Sequence, residues 1–250
     1  MTDFNKLCIV ITTCSSYYSN LENLMKRIDE IDPYFSFPRK NIMFVSGQET
    51  HESFEFKNGY TFQKVPYTCM HLTGLVHVVN NVDLYRNYYD YFFFVPCTIG
   101  LGDTFFELLR DLFKNTIQKS NSVSFPLICP RIRPTMDIGF LHVTCLTHPK
   151  LVSFLKKRTL YKFTRNDLIQ LKGKLVTFEN YIFGYKYWKK NELERNLYHI
   201  IPFRKHCQHV IENVVNVGKR QVNQVYFKPL DFYKYQRNYL GFSVPFVIDL

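Results

Sequence analysis

Short apolar segments alternate with periodic segments along the first half of the chain. The apolar segments predict buried strands at residues 7–15, 41–46, 60–67 and 90–95. The periodic segments predict three helices, whose inward faces are formed by Leu21, Leu24, Met25 and Ile28, by Leu72, Leu75, Val76 and Val79, and by Phe105, Leu108, Leu109, Leu112 and Phe113. This alternation predicts an α/β fold with a mostly parallel central sheet and helices on both faces.

The pattern changes after residue 120. Segments 124–129 and 138–145 predict two strands, and segments 151–157, 166–174 and 178–187 predict helices. The remainder is rich in Tyr, Lys and Arg and contains one further predicted strand near residues 199–203. No linker or internal repeat divides the chain, so we interpret residues 1–250 as a single domain.

Charge is distributed unevenly between the two halves of the chain. The net charge of +11 divides into −2 for residues 1–125 and +13 for residues 126–250. The basic half indicates an anionic ligand, such as a diphosphate, a nucleic acid or an acidic membrane surface. The 18 tyrosines are explained equally well by rings that line a sugar or base site and by a compositional bias.

The cysteines and the apolar runs indicate the cellular compartment in which the protein is expected. Seven widely spaced cysteines without a Cys-x-x-Cys pair favour buried, reduced thiols over disulfides or a zinc site. The N-terminus has no basic region before its first apolar run, and no apolar run approaches the roughly 20 residues of a membrane helix. We therefore expect a cytoplasmic protein with no transmembrane segment.

Polar residues and glycines follow three of the predicted parallel strands, at residues 12–15, 47–49 and 96–100. Ligands of open parallel sheets bind beyond these carboxyl ends. The first strand is not followed by Gly-x-Gly-x-x-Gly, and no Walker loop occurs. These absences argue against a dinucleotide-dependent enzyme and a P-loop ATPase.

A series of short motifs carries a family resemblance. In chain order they are CIVITTCSS, NLENLMKRI, NIMFVSG, LTGLVHVVNNV, YDYFFFVPCTIGLGDTF, RPTMDIGFLHV and FENYIF. Their order and spacing, over most of residues 5–190, resemble GT-A-type glycosyltransferases, particularly small glycosyltransferase-like proteins of bacteria and large DNA viruses.

The resemblance implies a fold, an activity and a setting. The fold would be GT-A-like, with a nucleotide-sugar-binding half (1–120) and a basic acceptor-side half (121–250). The activity would be transfer of a sugar from a UDP- or GDP-sugar to a glycan or glycoprotein acceptor. The resemblance also implies a virus-encoded protein that acts in the host cytoplasm.

The central strand departs from the family pattern. GT-A enzymes usually place an Asp-x-Asp motif at its end, where Mn²⁺ or Mg²⁺ neutralises the donor diphosphate. Residues 95–98 here read Val-Pro-Cys-Thr, and Asp103 is the nearest downstream acid and the only candidate metal ligand. Two alternatives follow: a metal-independent enzyme that binds the diphosphate through Lys, Arg or helix N-termini, or an inactive glycosyltransferase-like binding module.

The resemblance also implies site residues. Glu179 is the candidate general base of an inverting transfer, and Asp137 is the second candidate catalytic carboxylate. The candidate donor-binding residues are Thr12, Thr13, Ser15, Thr73, Cys97, Thr98, Arg131 and Arg133. Each has a structural alternative: a helix-dipole role for Glu179, a turn for Asp137, strand-end or helix-start positions for the threonines, and solvated charge for the arginines.

Nucleic-acid binding is a third hypothesis. Segments 186–190 and 218–239 mix basic and aromatic residues, as in surfaces that stack and neutralise single-stranded nucleic acid. No RRM, KH or helix-turn-helix signature accompanies them, so we place this hypothesis below glycosyl transfer. His206 and His209 flank Cys207 without further ligands nearby in sequence, which does not predict a zinc site.

Overall fold

The computed structural model describes residues 4–14, 18–34, 36–114, 124–126, 139–147, 149–171, 213–217, 220–227 and 232–237. The strands are β1 (Leu7–Cys14), β2 (Ile42–Gly47), β3 (Ser53–Lys57), β4 (Tyr60–Lys64), β5 (Tyr91–Pro96), β6 (Ile99–Leu101), β7 (Ser124–Pro126), β8 (Gly139–His142), β9 (Asn213–Val217), β10 (Arg220–Phe227) and β11 (Phe232–Arg237). The helices are α1 (Tyr18–Ile31), α2 (Thr73–Asn80), α3 (Val82–Tyr85), α4 (Phe105–Leu112), α5 (Val143–Leu146) and α6 (Pro149–Lys156).

The main sheet has seven strands in the order β3-β4-β2-β1-β5-β8-β7. The four central strands β4, β2, β1 and β5 are parallel, and β3 and β8 run antiparallel to their inner neighbours. The α/β class is confirmed, but the sheet is mixed. The two-residue turn between β3 and β4 permits only antiparallel pairing, because a parallel pair needs a long crossover connection.

Helices cover both faces of the sheet, as the periodicity predicts. The alternation of β1 separates the two cores, because Leu7, Ile9 and Ile11 face α1 and α4, whereas Cys8 and Val10 face α2 and α6. The inward faces predicted for α1 and α2 are confirmed. On α4, Phe106 is buried and Leu108 is only half-buried. The inward face of α4 therefore includes Phe106, which the periodicity did not predict.

Several predicted elements have different bounds. The third predicted strand, 60–67, is β4 and ends at Lys64. The strand β3 before it was not predicted, and Asn58 and Gly59 form the tight turn between β3 and β4 with φ values of 53° and 82°. The strand predicted to reach residue 145 ends at His142 and is followed by α5. The helix predicted at 151–157 is α6, and the predicted 166–174 helix is described as far as residue 171. The predictions at 178–187 and 199–203 lie outside the described residues.

A second sheet, not predicted from the sequence, has the order β6-β11-β10-β9. All of its pairings are antiparallel. Strand β6 belongs to the first half of the chain and lies directly after β5, whereas the other three strands come from the basic half. This sheet therefore joins the basic segment to the chain just beyond the end of the central strand.

Candidate functional site at the carboxyl edge of the sheet

The carboxyl ends of β1 and β5 form the switch point of the sheet. From β1 the chain passes through α1 to β2 on one side, and it later returns through α2 to β5 on the other side. Cys97 N donates to Thr12 O at 2.8 Å, which continues the pairing of the two strands to this edge. Ligands of open α/β sheets bind in the crevice at such a point. The predicted donor-binding residues Thr12, Thr13, Cys97 and Thr98 are thus brought together.

Thr12 joins β1 to the start of α2. Its Oγ1 accepts a hydrogen bond from Gly74 N at 3.1 Å, which satisfies one of the amides left unpaired in the first turn of a helix. A Cβ at Gly74 would lie 2.6 Å from that oxygen, so only glycine permits this approach. Since Thr12 is 5% exposed, its hydroxyl is already used in holding the helix against the strand.

Thr73 is also committed to local structure. Its hydroxyl donates to Met70 O at 2.7 Å and accepts from Cys69 N at 2.9 Å, which closes the turn before α2. Its methyl group packs against Gly47, where a Cβ would lie only 3.0 Å away. Thr73 therefore lies beside the end of β2, but its hydroxyl has hydrogen-bonding partners within the chain, and its predicted role in donor binding stays a prediction.

Thr13 and Cys97 pair across the two strand ends. Burial raises the pKa of the Cys97 thiol to about 11, and a hydrogen bond with Thr13 only partly opposes this rise. Cys97 is 4% exposed and stays protonated at neutral pH. It is therefore not an activated thiolate. Directly after β1 and β5 the structure leaves Cys14 and Thr98 half-buried, so Thr98 is the predicted threonine best placed to meet a ligand.

A carboxylate that sequence reasoning did not single out lies at the end of β2. Glu49 Oε1 accepts hydrogen bonds from the hydroxyl of Tyr18, at 2.6 Å, and from Ser46 Oγ. Burial and this contact with Glu49 raise the pKa of Tyr18. The cluster ties the start of α1 to the end of β2. The sequence pointed to this cluster only through the polar strand end at residues 47–49, for which no individual residue role was predicted.

The backbone at this edge is strained. Gln48 and Met70 adopt left-handed conformations with φ values of 65° and 54°. Each such conformation costs roughly 1–3 kcal/mol for a residue other than glycine and persists only when its surroundings enforce it. Gln48 N donates to Tyr67 O and Glu49 N donates to Val65 O, both at 3.1 Å, so the turn after β2 is held to the segment after β4. Such strain is typical of functional edges.

Asp103, the candidate metal ligand, pairs with Arg27. The guanidinium of Arg27 contacts the Asp103 carboxylate and also donates to Leu101 O at 2.8 Å. The Asp103 carboxylate is exposed, and its predicted role as a metal ligand stays a prediction. Within the described residues, no group of three or more His, Cys, Asp or Glu side chains is placed to hold a metal ion.

The basic half reaches the switch point through the second sheet. Lys234 on β11 is opposite Ile99 on β6, one residue after Thr98, and Tyr233 is opposite Gly100. The register therefore places a basic and aromatic strand immediately beyond the end of β5. Ser15, Arg131, Arg133, Asp137 and Glu179 lie outside the described residues, so their predicted roles stay predictions.

Comparisons with known proteins leave the family open. No protein-family model matches the chain, and no characterised protein or solved structure matches it either. In the part of the chain that the structure describes, none of the helices is long and apolar enough to cross a bilayer.

Proposed function

We propose that this protein is a glycosyltransferase that binds a nucleotide-sugar donor at the carboxyl ends of β1, β2 and β5. The observation that carries the proposal is the switch point between β1 and β5, where Thr13, Thr98 and the Tyr18–Glu49–Ser46 cluster collect polar groups. The motif order that resembles GT-A enzymes supports the choice of a sugar nucleotide over other nucleotides. The sugar would pass to a glycan or glycoprotein acceptor.

The donor diphosphate would be held by basic groups. The position that carries a metal-binding carboxylate in the resembling family reads Pro96-Cys97-Thr98 here, and Asp103 is paired with Arg27. The register that brings β11 beside β6 supplies a basic segment next to the same point. Cationic side chains can stabilise a departing diphosphate as a metal ion does, because both neutralise its developing charge. We therefore favour transfer without Mn²⁺ or Mg²⁺.

Donor binding is the first expectation to test. One UDP- or GDP-sugar should raise the melting temperature of the purified protein, since a ligand at 100 times its Kd stabilises the native state by about 2.7 kcal/mol. We expect the shift to persist in EDTA. Thermal shift against a panel of nucleotide sugars, each with Mn²⁺ and with EDTA, makes this measurement.

A matched pair of variants locates the donor site. Thr98→Val removes one hydroxyl at the switch point and should weaken donor binding about fivefold, the effect of one hydrogen bond of about 1 kcal/mol. Thr61→Val makes the same change near the amino end of β4, at the opposite edge of the sheet, and should leave donor affinity unchanged. No shift with any nucleotide sugar would contradict the proposal. Tight polymer binding with steep salt dependence would favour nucleic-acid binding instead.

Catalysis by Glu179 is the second expectation. As general base, its carboxylate would accept the proton of the acceptor hydroxyl while that oxygen attacks the anomeric carbon and the nucleoside diphosphate departs from the opposite face. Glu179→Gln should lower kcat by about 10²-fold or more and leave donor affinity intact. Glu107→Gln, on the exposed side of α4, is the control and should keep full turnover.

Two results would change this assignment. Unchanged turnover in Glu179→Gln would remove Glu179 from catalysis and turn attention to Asp137. Saturable donor binding with neither hydrolysis nor transfer by the unaltered protein would identify an inactive binding module.

A further inference from the structure

The edge strand β3 exposes two phenylalanines. Phe54 and Phe56 are 66% and 60% exposed, and all of β3 after Ser53 is exposed. Among the described residues, β3 pairs only with β4, and its register with β4 is continuous, without a bulge. Natural sheet edges are usually protected by charged side chains, proline, bulges or a covering segment, because an open edge invites pairing with another chain. Of these devices β3 has only the charges of Glu55 and Lys57. The sequence of β3 contains no proline.

The hairpin turn determines which backbone groups of β3 face outward. Lys57 and Tyr60 flank the two-residue turn and therefore exchange hydrogen bonds with each other. Hydrogen-bonded and non-hydrogen-bonded positions alternate along an antiparallel pair. The N–H and C=O groups of Phe54 and Phe56 consequently point away from β4, toward the open edge.

We propose that two copies of this chain associate through antiparallel pairing of their β3 strands, centred on Phe56. In this register Phe56 is opposite Phe56 of the second copy, and the two residues exchange both backbone hydrogen bonds. Glu55 then lies opposite Lys57 of the second copy, and the two-fold axis repeats this pair. The edge is thus complementary to itself in charge, in exposed aromatic surface and in its free backbone groups.

The charges of Glu55 and Lys57 favour this register over the one centred on Glu55. Centring the pairing on Glu55 would also place outward backbone groups opposite each other, but it would set two carboxylates face to face. Oppositely charged residues directly across an antiparallel pair are stabilising, and like charges are destabilising. The resulting sheet would continue through both copies, and open sheets of about 8–15 strands occur in large α/β proteins.

The proposal is independent of the proposed enzymatic function. Strands β4 and β2 separate β3 from β1, so the pairing edge lies at the far side of the sheet from the switch point. Donor binding can therefore fail or succeed without changing the expectation for association.

Charge reversal tests the register. Sedimentation velocity over a concentration series should show a monomer–dimer equilibrium for the unaltered protein. Lys57→Glu sets two carboxylate pairs face to face, and Glu55→Lys does the same with two ammonium pairs. Each should weaken the dimer about tenfold or more, which corresponds to about 1.4 kcal/mol. The double variant Glu55→Lys/Lys57→Glu exchanges the charges and should restore the affinity.

Controls separate this effect from misfolding and from net charge. Lys156→Glu reverses an exposed charge on α6, away from β3, and should leave the dimer unchanged. Circular dichroism at a concentration low enough to keep the protein monomeric should show the same melting temperature for all the β3 variants, since these side chains are exposed. The proposal is overturned if the protein stays monomeric to concentrations on the order of 100 µM, if the single reversals leave association unchanged, or if the double variant fails to restore it.

Discussion

Replacing Arg39 with methionine is expected to lower the free energy of unfolding by about 3–5 kcal/mol at neutral pH, the typical cost of removing one partner from a buried ion pair. Arg39 and Asp32 are each only about 5% exposed at the side chain. Small domains are stable by about 5–15 kcal/mol, so this loss would be a large fraction of the total. Because the methionine side chain fills a similar volume, the loss of stability reports mainly the loss of the charge.

Arg39 is the centre of a buried network at the amino edge of the sheet. Its guanidinium donates to Asp32 Oδ2 at 3.2 Å, to Asp32 O at 2.8 Å and to Asp29 Oδ1 at 3.1 Å. Tyr60 donates to the same Asp29 oxygen at 2.6 Å, and its ring lies 5.8 Å from the guanidinium carbon. Arg39 thus joins the end of α1 to the starts of β2 and β4.

The pH dependence of this variant identifies the buried charge as the cause. Burial raises the pKa of Asp32, but hydrogen bonds from Phe37 N and Ser36 and the charge of Arg39 outweigh it, so the net pKa is lowered. Asp32 therefore contributes stability that is present above its unfolded pKa of about 3.9 and is lost as pH falls through the lower folded value. Without Arg39 the pKa of Asp32 rises, so the cost of Arg39→Met should shrink as pH falls toward 4.

Urea denaturation of the single and double variants makes the measurement. Arg39→Met/Asp32→Asn removes both charges and should be more stable than Arg39→Met alone. Arg39→Lys keeps the charge but loses the planar fork of donors, so we expect an intermediate loss. An equal difference in free energy of unfolding between Arg39→Met and the unaltered protein at pH 7 and at pH 4 would contradict the buried-charge explanation.

Acidification from pH 7 to pH 4 is expected to remove about 3 kcal/mol of stability through His77. Burial lowers the pKa of the His77 imidazole to about 4, against about 6.5 in the unfolded chain. Between these values the unfolded chain binds a proton that the native protein does not, so stability falls as pH falls. A difference of 2.5 pKa units corresponds to about 3 kcal/mol by pH 4.

The surroundings of His77 keep it neutral. The side chain is 2% exposed on α2, and its Nε2 lies 2.8 Å from the hydroxyl of Tyr85. Asn81 Nδ2 lies 3.5 Å from Nδ1. Tyr85 and the nearby Cys8 both have pKa values raised by burial, so neither supplies a negative charge to an imidazolium.

Removing the imidazole should flatten this part of the stability profile. His77→Gln retains a hydrogen-bonding side chain without a titrating group, so its free energy of unfolding should vary less between pH 7 and pH 4.5 than that of the unaltered protein. His51→Gln changes an exposed histidine and should keep the original slope. A His77→Gln profile that runs parallel to the original would show that other groups are responsible.

The candidate site was predictable from the sequence only in part. Thr12, Thr13, Cys97 and Thr98 were recognisable because each follows a strongly apolar strand, and strand ends carry ligands in parallel sheets. The partners of those residues were not predictable. The hydroxyl of Thr12 accepts a hydrogen bond from Gly74, 62 positions away. Glu49 accepts a hydrogen bond from Tyr18, 31 positions away.

The local pattern of residues by itself determined the α/β class, the central strands and the two-sided helical cover, because alternation and helical periodicity are properties of neighbouring positions. Only the tertiary structure decided that the sheet is mixed, that β3 is an open edge and that β11 lies beside β6. Strand pairing depends on backbone hydrogen bonds between distant segments, which carry almost no signature in either segment alone. For the same reason, the polar residues at the carboxyl edge became neighbours in one candidate site only when β1, β2 and β5 were placed side by side.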